Sequence, residues 1–335
     1  MGIDLIVEIG NSHEGSLGIA MSFVDMVAEA GAKTVKFQMH LPEYESSVNE
    51  PFRIQFSKQD KTRSDYWKRV GFSQEEWLIL INYVDKLGLE FLCSPFSVEA
   101  AKWLFDTGQM RRWKIGSGEA TNFPLLDFLI ETDLPILLST GLVSWQELLD
   151  IKKRLDAKNY WNKVTLLHCV SMYPTELENS SLNVIDDLRT LDCKVGLSDH
   201  SGQIAVPLLA FSRGVSTIEI HMTPHKKFFG PDTTASLTPE ELALLIKLCD
   251  QFSILSKNAG SRDSLFELSR DTASLFRKGI YWKHNLPKDH VVTFDDLAFL
   301  KPASFFEAKD YEKILGQTTL LSVEKGQSIL PNDLK

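Results

Sequence analysis

Apolar positions along the chain fall into two alternating textures. Short runs rich in β-branched and aromatic residues stand at 4–10 (DLIVEIG), 33–40 (KTVKFQMH), 89–95 (LEFLCSP), 111–118 (RRWKIGSG), 134–141 (LPILLSTG), 164–171 (VTLLHCVS), 194–201 (KVGLSDHS) and 217–223 (TIEIHMT). Each reads as a buried strand. Between and after them stand segments with helical spacing, at 17–31, 73–87, 98–107, 123–131, 145–157, 182–191, 204–213 and 240–252. Local signals support these bounds. Ser73 and Glu76 form a capping-box pattern, and Thr238-Pro239 places an N-cap before a proline at the first helical position. Residues 41–71 break the rhythm. They are polar and aromatic without a clear period, and long for a loop, so they form a functional insertion or carry some helix.

Eight strand–helix units in about 250 residues predict a closed (β/α)8 TIM barrel. An open doubly wound sheet is the competitor, but its first turn is usually glycine-rich. Here that turn is Gly10-Asn11-Ser12-His13-Glu14-Gly15, without the GxGxxG spacing. Beyond residue 252 the texture changes. Residues 256–270 are polar and loosely patterned. From 276 strands are short and helices scarce, with turns at Asn285-Leu286-Pro287, Lys301-Pro302 and Glu324-Lys325-Gly326. The expected division is therefore a barrel over 1–262, a linker over 263–275 and a small β-rich domain over 276–335.

Composition narrows the function classes. The hydrophobic share of 43% and charged share of 24% are ordinary for a globular protein. A net charge of −9 argues against a nucleic-acid partner, so an anionic substrate must be met by local cations. Cys93, Cys169, Cys193 and Cys249 are widely spaced with no CxxC, which suits free thiols in a reducing cytoplasm. The N-terminus shows no signal-peptide pattern, and no apolar run is long enough to cross a membrane.

Candidate chemistry sits where a barrel keeps its active site, at the C-terminal ends of the strands. Those ends carry Glu8; Lys36, Gln38 and His40; Ser94; Lys114, Ser117 and Glu119; Ser139 and Thr140; His168 and Ser171; Ser198, Asp199 and His200; Glu219 and His221. Polar residues inside a packed barrel are costly unless paired, so polar ends on nearly every strand point to a site. Lys36 and Lys114 with the hydroxyls of Ser94, Ser117, Ser139 and Ser198 suit a phosphate or phospho-carboxylate dianion. Glu8 and Glu119 are candidates for general base, or for ion pairs with those lysines. His200 and His221 end adjacent strands and can share one divalent ion. Glu219 shares a face with His221. Asp199 is expected to face the helices, and His13 and His168 are read as structural.

At these positions the chain resembles the N-acetylneuraminate (sialic acid) synthase family. The likeness is carried by Glu8-Ile9-Gly10-Asn11-Ser12-His13-Glu14-Gly15, Val35-Lys36-Phe37-Gln38, Ser94-Pro95-Phe96, Trp113-Lys114-Ile115-Gly116-Ser117-Gly118-Glu119, Leu138-Ser139-Thr140-Gly141, Leu167-His168-Cys169 with Tyr173-Pro174-Thr175, Gly196-Leu197-Ser198-Asp199-His200 and Gly230-Pro231-Asp232. The resemblance implies a barrel that condenses phosphoenolpyruvate with an acylated amino-sugar aldehyde, N-acetylmannosamine or a modified relative. The product is a sialic-acid-like 2-keto acid for surface polysaccharide, with release of phosphate. It implies Lys36, Ser94, Lys114, Ser117, Ser139, Ser171 and Ser198 around phosphoenolpyruvate, and His200 and His221 on manganese or magnesium. Gln38, Tyr173 and Asp232 fall to the sugar. The C-terminal domain resembles the antifreeze-protein-like (SAF, β-clip) domain that ends these synthases, which are domain-swapped homodimers.

Three places depart from the family pattern. Lys301 stands where an arginine usually reaches the sugar's acyl group, Ile220 where a Lys or Arg precedes the second histidine, and residues 224–229 follow no familiar pattern. All lie toward the sugar side, so Lys301 is carried as a candidate sugar contact with altered geometry. Two alternatives stay open: another metal-dependent barrel aldolase or 2-keto-3-deoxy acid synthase, and a non-catalytic sugar-binding relative.

Overall fold

The structure is a computed structural model that describes residues 3–47, 49–52, 55–57, 59–257 and 260–335. Met1 and Gly2, part of the N-terminal stretch read for a signal, lie outside them. The chain divides into two compact units, Met1–Ser256 and Lys257–Lys335.

In the first unit eight parallel strands alternate with helices. The strands are β1 (Asp4–Gly10), β2 (Thr34–Met39), β3 (Glu90–Pro95), β4 (Trp113–Ile115), β5 (Ile136–Ser139), β6 (Val164–Cys169), β7 (Lys194–Asp199) and β8 (Thr217–Met222). The helices are α1 (Leu17–Glu29), α2 (Pro42–Glu45), α3 (Arg63–Val70), α4 (Gln74–Lys86), α5 (Val98–Asp106), α6 (Phe123–Glu131), α7 (Trp145–Asp156), α8 (Val184–Arg189), α9 (Ala205–Ser212) and α10 (Pro239–Lys257). Hydrogen bonds run in the order β3-β2-β1-β8-β7-β6-β5-β4, and a two-residue strand β9 (Ser236–Leu237) adds to β8. Because β1 pairs β8, the ends of the sequence order meet, and β3 lies against β4 across a seam without ladder bonds. This is a nearly closed (β/α)8 barrel.

Strand periodicity explains the two cores. Leu5, Val7 and Ile9 point outward into the large core shared with the helices, while Ile6 belongs with Leu92, Leu137 and Leu167 to a separate four-residue layer. That thin layer plugs the barrel interior, and polar residues occupy the strand positions above and below it. Gly196 is required at this level: a Cβ there would stand 2.4 Å from the Thr217 carbonyl oxygen and 2.6 Å from Leu167.

Local sequence sets the helix ends. Ser73 accepts from the Glu76 amide and Glu76 answers on the Ser73 amide, closing the capping box that starts α4. β4 keeps only three residues of the expected run 111–118, because Ser117–Glu119 turn into a 3-10 helix. Helix α8 is shorter than 182–191, and α10 continues to Lys257. The stretch 41–71 does carry helix, as α2 and α3, with Thr62 and Asp65 capping α3 reciprocally.

In the second unit, residues 263–275 hold two short helices, α11 (Arg262–Leu268) and α12 (Arg270–Phe276), where sequence suggested only a connection. Ser261 caps the first by accepting from the Ser264 amide, a signal hidden in a polar stretch. Beyond them β10 (Gly279–Trp282) pairs antiparallel with β11 (Leu297–Leu300). Trp282, Ile280, Ile314 and Ile329 centre a small core. No helix among the described residues is long and apolar enough to cross a membrane.

Candidate active site

At the C-terminal ends of the strands a cavity of about 500 Å3 opens, lined by residues from every barrel strand or the turn after it. It gathers Glu8, Lys36, Gln38, Ser94, Lys114, Ser117, Glu119, Ser139, Ser171, Tyr173, Ser198, Asp232, His200 and His221. Lys301 sits in the second unit just after β11, its ammonium 5.0 Å from the Phe276 ring centre.

Four buried charges form the floor. Lys36 donates to Glu8 at 2.5 Å, and Gln38 donates to the other Glu8 oxygen at 2.5 Å. Glu219 Oε1 lies 3.7 Å from the Lys36 ammonium and 3.5 Å from that of Lys114, and accepts from Ser198 at 3.2 Å. The register puts them there: Glu8 pairs with Lys36 on one side and His221 on the other, and Glu219 lies opposite Ser198. Burial pulls the Lys36 ammonium down, but Glu219 and Glu8 together lift it above the ordinary lysine value. For Lys114 burial prevails and its pKa is lowered. Burial would raise Glu219, yet Lys114 and Lys36 hold it at about 2. Glu8 moves the other way, raised by burial that Lys36 only partly opposes. Burial also raises Glu119, which accepts from Asn122 at 2.7 Å.

This floor is not saturated. Ser94 Oγ, Ser139 Oγ and Glu219 Oε2 are buried without a hydrogen-bond partner among the described residues. Such groups are costly in a folded protein unless a ligand or water completes them. Beside them, Ser117 Oγ accepts from the Gly141 amide at 3.0 Å and approaches Cys169 Sγ at 3.5 Å. Gly141 allows that approach: a Cβ there would stand 2.6 Å from Ser171 Oγ.

The two histidines meet on the other wall. Their ring centres are 5.2 Å apart, and Tyr173 stacks on His200 at 4.0 Å. Burial pushes His221 down to about 4, which keeps it in the neutral, ligating form. For His200 burial is outweighed by the Cys169 thiol and the Val170 carbonyl, so its pKa is raised. Its Nδ1 lies 2.9 Å from that carbonyl, which assigns the proton to Nδ1 and leaves Nε2 the lone pair. Among the described residues no group of three or more His, Cys, Asp or Glu is placed to hold a metal ion. Two imidazoles fit an ion that keeps positions open for water and substrate.

Sequence reasoning underrated two groups. Glu219 is the hub of the floor, not a neighbour of His221 alone. Cys169 lines the cavity and contacts His200 at 3.9 Å. The 41–71 stretch, whose length suggested a functional insertion or some helix, supplies a wall of the cavity with Glu45, Ser46, Glu50, Phe52, Phe56, Arg63, Tyr66 and Trp67. His168 is structural as expected, bonded to the Ser180 carbonyl at 2.8 Å. Asp199 accepts from Ser201 at the end of β7 and does not line the cavity.

Comparison with known proteins bears on this site. Residues 23–261 match the model of the NeuB family. The chain is 30% identical over 335 residues to the N,N'-diacetyllegionaminic acid synthase of Legionella pneumophila, covering 97% of this chain and 93% of that protein. It is 27% identical to the N-acetylneuraminate-9-phosphate synthase of Homo sapiens, covering 97% and 91%. Among solved structures, the N-acetylneuraminic acid (sialic acid) synthetase of Leptospira borgpetersenii, in complex with citrate, superposes with a TM-score of 0.69 at 27% identity. That match covers 81% of this chain and 92% of the other.

Proposed function

Since the chain belongs to the NeuB family, we propose that it condenses phosphoenolpyruvate with an acylated amino-sugar aldehyde, giving a nonulosonic 2-keto acid and phosphate for surface polysaccharide. The observation that carries this reading is the unsaturated floor: two buried lysines beside the orphaned hydroxyls of Ser94 and Ser139. Point charges and short donors that lack partners are what a phospho-carboxylate would complete.

Lys36 and Lys114, with Ser94, Ser117, Ser139, Ser171 and Ser198, bind phosphoenolpyruvate and neutralise its charge. Gln38, Tyr173 and Asp232 orient the acceptor so that its aldehyde carbon faces C3 of phosphoenolpyruvate. Attack by C3 forms the new carbon–carbon bond, pushes the carbonyl π pair onto the aldehyde oxygen, which becomes a hydroxyl on taking up a proton released from the added water, and leaves cationic character at C2. The anionic floor of Glu8 and Glu219 suits that developing charge. Glu8 or Glu119 takes the proton of the water that adds at C2, and their burial-raised pKa values favour proton uptake. The tetrahedral adduct then expels phosphate by C–O cleavage. His200 and His221 would hold manganese or magnesium, which supplies Lewis-acid polarisation of an aldehyde oxygen when bound. The same reading makes the protein a cytoplasmic, domain-swapped homodimer with an antifreeze-like C-terminal unit, and assigns Lys301 to the acceptor. Gel filtration with light scattering tests the dimer.

The deciding experiment measures phosphate release from phosphoenolpyruvate, with manganese or magnesium, across N-acetylmannosamine, its 6-phosphate and 2,4-diacetamido-2,4,6-trideoxymannose. Acceptor-dependent release supports the reading. Release from none of them, or a Schiff base on Lys36 or Lys114 trapped by borohydride, sinks it in favour of a sugar-binding relative or an aldolase.

A further inference from the structure

The floor of the cavity is joined to its rim by a chain of hydrogen bonds whose outer members, His40 and Glu45, the proposed chemistry does not use. Lys36 donates to Glu8, and Glu8 accepts from Gln38 Nε2. Gln38 Oε1 lies 3.2 Å from His40 Nε2, and His40 Nδ1 lies 2.6 Å from Glu45 Oε1. Glu45 ends on the Leu41 amide at 3.3 Å. His40 is buried and clamped flat between Trp67 at 3.8 Å and Phe96 at 4.1 Å. The five side chains of this hydrogen-bonded chain, and both clamping rings, line the cavity or its mouth.

Donor and acceptor counting fixes the states along this chain. Gln38 Nε2 faces a Glu8 oxygen, so the amide is oriented with its nitrogen toward Glu8 and its oxygen toward His40. His40 must therefore donate from Nε2. Its other nitrogen lies 2.6 Å from a Glu45 oxygen, so the ring is held at both nitrogens as well as on both faces. The Gln38 oxygen also accepts from Asn11 Nδ2 at 3.3 Å, which fills its second lone pair. One Gln38 N–H is taken by Glu8. What the amide has left for a substrate is a single N–H.

We infer that His40, held by Glu45, is a positioning residue that fixes the Gln38 amide so that Gln38 meets the acceptor only as a donor, selecting an oxygen acceptor group such as an acyl carbonyl or hydroxyl. This rests on the proposed synthase reading and deepens it. Without the His40 N–H, the Gln38 oxygen keeps only the Asn11 contact at 3.3 Å, the rotated amide gains population, and the sugar meets a carbonyl more often. Phosphoenolpyruvate, bound by the lysines and serines, does not sense the change.

The test is steady-state kinetics of the full-length holoenzyme with phosphoenolpyruvate and whichever of the three acceptors the unmodified protein turns over. His40→Phe keeps a ring between Trp67 and Phe96 but removes the N–H. The expected result is an acceptor KM raised about tenfold, the scale of one lost directional hydrogen bond, with the phosphoenolpyruvate KM unchanged. His40→Gln loses the stacked ring and keeps an N–H donor, so its Tm falls while its acceptor KM stays closer to the unmodified value than that of His40→Phe. In a Gln38→Ala background His40→Phe has no further effect, because its action passes through Gln38. An unchanged acceptor KM in His40→Phe, a His40→Gln variant worse than His40→Phe, or additive effects with Gln38→Ala overturns this inference alone. An unmodified protein that turns over no acceptor overturns the synthase reading beneath it as well.

Discussion

Each end of the barrel carries a network of charges, and the two are built on opposite principles. At the N-terminal end Arg112 donates to both oxygens of Asp4, to both oxygens of Glu90 at 2.8 and 3.0 Å, and to Thr34 at 3.3 Å. Asp4 also accepts from Thr217 at 3.0 Å. One guanidinium thus joins β1, β2, β3 and β8 beside the seam where β3 and β4 lack ladder bonds. Its planar fork suits that task, since it can serve several carboxylate oxygens at once. At the C-terminal end Glu8, Lys36, Glu219 and Lys114 are more deeply buried, with 1–4% of each side chain exposed against 16% for Arg112, yet that network leaves polar atoms unserved. A charge network that satisfies itself holds a fold together. One that is buried and incomplete is waiting for a ligand.

Lys114 offers the sharpest way to break this contrast. It is one of the two cations that keep the buried Glu219 ionised. Lys114→Met should lower kcat/KM for phosphoenolpyruvate-dependent phosphate release by about 10^3-fold or more, the scale of removing a preorganised electrostatic donor, and should lower Tm as well, because Glu219 is left with Lys36 alone. A folded variant with unchanged kcat/KM would make this end structural, like the other.

Ligand binding probes the same end without mutation. Phosphoenolpyruvate at a hundredfold excess over its Kd should stabilise the folded state by about 2.7 kcal/mol, visible as a raised Tm in differential scanning fluorimetry. Lys114→Met should abolish that shift, and Arg112→Met should keep it. Equal shifts in both variants would place the anion elsewhere.

Arg112→Met addresses the other end. It leaves Asp4 and Glu90 without their cation, and should cost about 2 kcal/mol in urea unfolding, less than a fully buried pair because Arg112 keeps some contact with water. Specific activity of the folded fraction should stay within about twofold, since the network does not touch the cavity. A selective loss of activity would show that the two ends are coupled through the strands.

The two ends were also unequally legible in the sequence. Eight strand–helix units could be read because each buries a face with its own period and several carry caps, as Ser73 and Glu76 do. The lysines and serines of the floor could be read because they end strands, and a barrel sends all strand ends to one mouth. Glu219 could not be ranked from sequence: its role depends on β8 closing against β1, which brings it between Lys36 and Lys114 across more than a hundred residues. Arg112 was equally silent, standing as one more polar residue before a strand that proved three residues long. The length of 41–71 marked it as a functional insertion or a carrier of helix, but its lining residues could not be picked out, because its rings pack on each other and on His40 and such contacts leave no periodic trace.

One buried orphan belongs to neither network and sharpens the rule. His13 Nδ1 accepts from the Gly15 amide at 3.2 Å, so its Nε2 carries the proton, and that N–H has no partner among the described residues. Its ring stacks on Phe72 at 4.4 Å, and it does not line the cavity. An unsatisfied atom marks a ligand site only where it faces one, and here the surroundings are apolar. Burial, with a smaller push from His40, lowers the His13 pKa to about 3. The unfolded chain binds a proton on this residue near pH 6.5, and the native state refuses it until about pH 3. Stability is therefore lost as pH falls through that window, and the group contributes nothing to the slope above it. His13→Phe, which keeps an aromatic ring against Phe72, should leave urea unfolding nearly unchanged at pH 8. Between pH 6 and pH 4 it should flatten the decline by up to one proton, about 1.4 kcal/mol per pH unit. An unchanged acid slope would mean that His13 takes up its second proton, on Nδ1, in the folded protein, and that the Gly15 amide has released that nitrogen.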